Sequence, residues 1–101
     1  MALRAHDAEQ LDVDATGGGV AFTTSKVTSK VVRAYCKVET AQIRIMTDPD
    51  ITLTAGGSEG SPIKDIGDEF YVYGSLDMLN FKAIRTGSTS GKLNVIYEGA
   101  Q

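Results

Sequence analysis

Residues 68–98 read DEFYVYGSLDMLNFKAIRTGSTSGKLNVIYE, three apolar-rich runs separated by two turn-like segments. In the last run Leu93, Val95 and Tyr97 alternate with Asn94, Ile96 and Glu98. Successive side chains on a strand point to opposite faces, so this alternation places three large residues on one side. The middle run offers Leu79, Phe81 and Ala83 on one side and Asn80, Lys82 and Ile84 on the other. The first run, Glu69 to Tyr73, sets Phe70 and Val72 against Tyr71 and Tyr73. Between the last two runs lies TGSTSG, whose glycines suit a hairpin loop. The pattern predicts a three-stranded antiparallel meander.

Working outward, the remaining body is also strand-like. Val32, Ala34, Cys36 and Val38 form an inward row, with Arg33, Tyr35, Lys37 and Glu39 facing out. Ala41, Ile43 and Ile45 make another inward row, either in one long bent strand or in two strands meeting near Glu39-Thr40. β-Branched residues dominate, which argues against a helix. Asp48-Pro49-Asp50 is a turn signal, Ile51 to Thr54 reads as a short strand, and AGGSEGSP (residues 55–62) reads as a loop. Ile63 and Ile66 are expected to re-enter the core. Seven or eight short strands with turns every 8–12 residues predict an all-β fold, a small antiparallel β-sandwich or jelly-roll over residues 20–101.

The first 19 residues read differently. Residues 2–11 are too short and too polar for a stable isolated helix. Three consecutive glycines, Gly17 to Gly19, mark a hinge. Residues 1–19 are therefore expected to form a flexible arm, either a disordered tail or a segment that orders against a neighbouring subunit. In the second case Leu3, Leu11 and Val13 are its anchors.

At 101 residues the chain is expected to be one domain. The net charge of −3 gives no support to nucleic-acid binding. That charge is uneven: residues 24–46 are net +4, while residues 47–77 are net −6. Such blocks fit complementary neighbouring strands, or complementary patches on adjacent subunits. No apolar run is long enough for a membrane helix, and no secretory signal is recognisable, so a soluble intracellular or virion-borne protein is expected.

Catalytic chemistry finds little purchase. The single cysteine, Cys36, shares the inward row and reads as a buried thiol. The single histidine, His6, lies in the arm and cannot be placed beside a serine or cysteine nucleophile. Asp48, Asp50, Glu59, Asp65, Asp68 and Glu69 lack the spacing of a calcium loop. TGSTSG lacks the lysine and following helix of a phosphate loop. No catalytic, metal or cofactor site is expected, and the protein is read as a non-enzyme. Tyr35, Tyr71 and Tyr73 remain as outward aromatics suited to burial against a partner, or to stacking on a sugar.

The stretch from Ile51 to Glu98 resembles small virion structural proteins of tailed bacteriophages. The likeness is carried by ITLT, the Gly/Ser/Pro loop, DEFYVYG, the bend SLDMLNFKAIRTG and the closing GKLNVIYEG. Within these, Phe81, Ala83, Ile84 and Arg85 precede Leu93, Val95 and Tyr97. The resemblance implies a capsid decoration or cement protein, a trimer on the capsid exterior that contacts the major capsid protein. It further implies synthesis in the host cytoplasm and an arm laid along neighbouring capsomers, with no nucleic-acid, membrane or small-molecule partner. The first 50 residues carry no such motif. The competing expectations are a carbohydrate- or host-surface-binding module and a tail or head–tail connector component.

Overall fold

The computed structural model describes residues 2–57 and 59–100. The chain forms two four-stranded antiparallel sheets. The first, here called the long sheet, contains β1 (Leu3–Val13), β8 (Gly91–Ala100), β3 (Val31–Glu39) and β6 (Glu69–Tyr73), in that spatial order. The second, the short sheet, orders β2 (Val20–Ala21), β7 (Lys82–Arg85), β4 (Ile43–Met46) and β5 (Ile63–Lys64). One short helix, α1 (Ser75–Asn80), joins β6 to β7. The all-β sandwich read from the sequence is therefore the fold.

The core lies between the sheets. Strand β8 alternates strictly, with Leu93, Val95 and Tyr97 buried. Opposite them stand Phe22, Ile43, Phe81 and Ala83 from the short-sheet side. Phe22 stacks on Phe81 with centroids 4.1 Å apart and meets Tyr97 edge-on at 5.6 Å. Edge-to-face and offset aromatic pairs add about 0.5–1.5 kcal/mol each beyond their burial. Gly91 is required for close packing: a Cβ there would come 2.6 Å from Ile43 Cγ2 and 2.8 Å from the Ala41 carbonyl.

Residues 3–13 are not an arm. They form β1, the longest strand, which pairs along β8 from Leu3 opposite Ala100 to Val13 opposite Gly91. Val13 is fully buried and Leu11 packs against the core. The Glu9 carboxylate accepts hydrogen bonds from the Tyr97 hydroxyl (2.5 Å), the Thr23 hydroxyl (2.6 Å) and the Thr23 amide (3.1 Å). The polar residues that spoiled the helical and apolar patterns are thus edge-strand residues with specific partners. Nor is the glycine run a loose hinge. Gly18 and Gly19 adopt φ of 85° and 91°, and the Gly18 amide donates to the Leu53 carbonyl at 2.9 Å. This turn carries the chain from the long sheet to the short one.

The meander also gives way. Strands β6 and β8 flank β3 in the long sheet, while β7 belongs to the short sheet. Gly74, at φ 84° and ψ 146°, ends β6 and starts α1. Leu79 and Asn80 complete that helix instead of opening a strand. TGSTSG then crosses between sheets, and neither of its glycines needs a positive φ.

Val32 faces out because a bulge between Val31 and Arg33 shifts the register, which leaves Val31 as the buried residue. Ile51 to Thr54 form no strand, although Leu53 is buried. Thr40, at φ 76° with the Ala41 amide donating to the Glu39 carbonyl at 2.9 Å, makes a tight turn that moves the chain from β3 to β4.

Candidate protein-interaction face

The long sheet has a second face, directed away from the core, and its register fixes which side chains meet there. Tyr35 on β3 stands between Ile96 on β8 and Tyr71 on β6, and Ile96 in turn opposes Ala8 on β1. Directly opposite residues of an antiparallel pair share a face. These four therefore form an apolar and aromatic row across the whole sheet. One row along, Arg33 stands between Glu98 and Tyr73. On the other side, Lys37 stands between Asn94 and Glu69. Tyr71 is 43% exposed and Tyr73 61% exposed, against complete burial of Tyr97 on the inner face.

The three outward tyrosines are joined. Tyr35 and Tyr71 have ring centroids 5.5 Å apart, and Tyr71 and Tyr73 are 5.7 Å apart. The Arg33 guanidinium lies 4.4 Å from the centre of the Tyr71 ring, while its Nε donates to Glu98 at 2.6 Å. That carboxylate raises the Arg33 pKa above its ordinary value, keeping the cation fixed over the ring. The Tyr35 hydroxyl donates to Glu69, and this hydrogen bond, with burial second, pushes the phenol up to about 12. Tyr35 and Tyr71 are thus both held by polar partners on neighbouring strands.

A second group of apolar side chains lies nearby in sequence. The large hydrophobics exposed among the described residues are Ile63, Ile66, Tyr71, Tyr73, Leu76, Leu79 and Val32. All but Val32 fall between residues 63 and 79. Val32 is tied to the same region, since its carbonyl accepts the Gly74 amide at 2.9 Å. In α1 only Met78 enters the core, which leaves Leu76 and Leu79, three residues apart, on the open side. Ile63 and Ile66 do not re-enter the core as the sequence suggested; they are 45% and 63% exposed. Strand β5 is two residues long and sits at the sheet edge, so it covers no second layer.

Of the residues expected to bind a partner, Tyr35, Tyr71 and Tyr73 meet on this face. Leu3, Leu11 and Val13 do not join it as a group. Val13 and Leu11 are committed to the chain's own core, and half-buried Leu3 opposes Ala100 at the strand end. Sequence reading missed Ile96, which the alternation assigned to a polar side. It also missed Leu76, whose place two residues before Met78 was the available signal; Leu79, read from the sequence as an apolar residue without a clear place in the core, is indeed exposed, whereas Met78 is buried.

The reactive residue types are held apart. Burial pushes the Cys36 thiol up to about 12, so it stays protonated and shielded. His6 Nε2 donates to the Ala100 carbonyl at 2.8 Å, on the edge strand. Among the described residues, no three His, Cys, Asp or Glu side chains converge as metal ligands, and no pocket is enclosed. Comparison with protein-family models, curated proteins and solved structures finds no match to this chain.

Proposed function

We propose that this protein is a non-enzymatic structural subunit that works by covering other protein, of the capsid decoration or cement type. The single observation that carries the reading is the crowding of exposed large apolar side chains into residues 63–79. Monomers tolerate scattered exposed hydrophobics, whereas a concentration of them marks a surface that is covered in use. The nucleophile and base candidates, Cys36 and His6, are occupied in packing and a backbone hydrogen bond. The mechanism is added interface. A subunit that binds the assembled capsid and not its free parts favours the shell by mass action.

The carbohydrate reading draws less support. The Tyr35 and Tyr71 rings are inclined by 55° and those of Tyr71 and Tyr73 by 31°, so the three share no flat platform. Because β1 is part of the sandwich, attachment on this reading comes from the body and not from an arm that folds on docking. The test adds purified protein to phage heads lacking it, alongside Leu76→Lys and Leu79→Lys. Wild type attaches and raises the temperature at which the shells open, and the variants lose both effects. Failure of wild type to attach discards the reading.

A further inference from the structure

We propose that the outer face of the long sheet pairs with the same face of a second copy, about a two-fold axis parallel to the strands and midway between β3 and β8. The inference shares Tyr71 and Tyr73 with the stretch 63–79 but uses neither Ile63 and Ile66 nor Leu76 and Leu79, and it does not depend on the nature of the shell. It rests on the cross-strand register. Rotation about such an axis lays β8 of one copy over β3 of the other, and β1 over β6, with every row kept level. Residues facing each other across β3 and β8 within one sheet then face each other again across the interface.

Those pairs are complementary. Glu98 opposes Arg33, and Lys92 opposes Glu39. A two-fold axis therefore sets each acid over a base at both ends of the face. Between them Ile96 opposes Tyr35. At the flanks the pairing joins small to large: Ala8 lies in the row of Tyr71, and Ala5 in the row of Tyr73. The alanines on β1 leave room for the rings on β6, which stand out from the sheet at 43% and 61% exposure. An axis along the rows instead would set Arg33 over Lys37, a like-charge contact. The charge pattern thus selects one two-fold arrangement.

Its size is adequate. Four strands about 4.8 Å apart and a nine-residue strand rising about 3.3 Å per residue give a face of roughly 19 by 30 Å. That footprint, about 570 Å², lies toward the small end of specific interfaces, which centre near 800 Å² per partner. Face-to-face sheets pack about 10 Å apart, a gap that tyrosine and isoleucine side chains fill. The pairing is isologous and closes on itself, so it yields a dimer and not the three-fold assembly that the phage resemblance implies.

Sedimentation velocity on the purified full chain, across a concentration series and without shells, decides the matter. A concentration-dependent species of twice the chain mass is expected, weakened by added salt. Ile96→Lys raises the midpoint concentration at least tenfold with far-UV circular dichroism unchanged. Ala8→Lys does the same, and because Ala8 is exposed on an edge strand it reports even if Ile96→Lys fails to fold. Leu79→Lys leaves the dimer intact. A monomer throughout the series, a trimer, or a dimer indifferent to both Ile96→Lys and Ala8→Lys overturns the proposal. A dimer that does not attach to shells sinks only the capsid reading.

Discussion

Tyr97 and Tyr71 occupy the two faces of one sheet and are treated in opposite ways. Tyr97 is wholly buried, meets Phe22 edge-on and gives its hydroxyl to Glu9. Tyr71 keeps 43% of its surface open, beneath a guanidinium and beside two further tyrosines. The inner face is closed by the short sheet, so its residues answer to packing. Among the described residues no further layer covers the outer face, and its aromatic row is held by hydrogen bonds and ion pairs in neighbouring strands. One face fixes the fold, and the other is the face on which the proposed association rests.

The most severe test of that division is removal of residues 2–13. Deletion takes away Val13, Leu11 and the Glu9 carboxylate and uncovers the edge of β8. The truncated chain is expected to lose its cooperative thermal transition, because a domain of this size has only about 5–15 kcal/mol in hand. A normal melt would return β1 to the status of an arm. Next in size is the paired comparison of the two tyrosines by urea denaturation. Tyr97→Ala should cost about 3–5 kcal/mol, as large-to-small changes of buried aromatics do. Tyr71→Ala should stay within about 0.5 kcal/mol for folding, the usual range for exposed positions.

Gly91→Ala probes the inner face from the other direction. Its new methyl meets Ile43 and the Ala41 backbone, so a loss of about 1–3 kcal/mol is expected from overpacking. The gentlest probe is pH. Cys36 is raised by burial from its ordinary 9.0 to about 12, and Tyr97 is raised above 10.0 by burial first and by its bond to Glu9 second. Both groups hold their protons longer in the folded chain than in the unfolded one. Their contribution is intact below about pH 9 and falls as pH rises, first through Cys36 and then through Tyr97. Urea melts from pH 8 to pH 11 should show that decline, and Cys36→Ala should delay its onset toward pH 10.

Much of the inner face could be read from the chain alone. Leu93, Val95 and Tyr97, and Ala34, Cys36 and Val38, follow a two-residue period that only a half-buried strand satisfies. Tyr71 and Tyr73 were legible as outward residues by the same rule. The period fails at Val32, because a bulge adds a residue that no local pattern announces. It misleads at Ile63 and Ile66, because apolar character alone does not say whether a second layer lies above. It is silent for β1, whose Asp7, Glu9 and Asp12 look like loop residues until Lys26, Tyr97 and Lys92 are set beside them.

Alternating side chains are a local property, and they determined that this chain folds as β-structure with a buried row in each of its central strands. Which strands become neighbours depends on contacts between distant residues. Only the folded chain decided that β8 inserts between β1 and β3 and that the glycine run is a crossing between sheets. Only there, too, do Ala8, Ile96, Tyr35 and Tyr71, from four strands scattered over the sequence, fall into one outward-facing row. Backbone pairing acts across space, and a one-residue change of register would have turned that row toward the core.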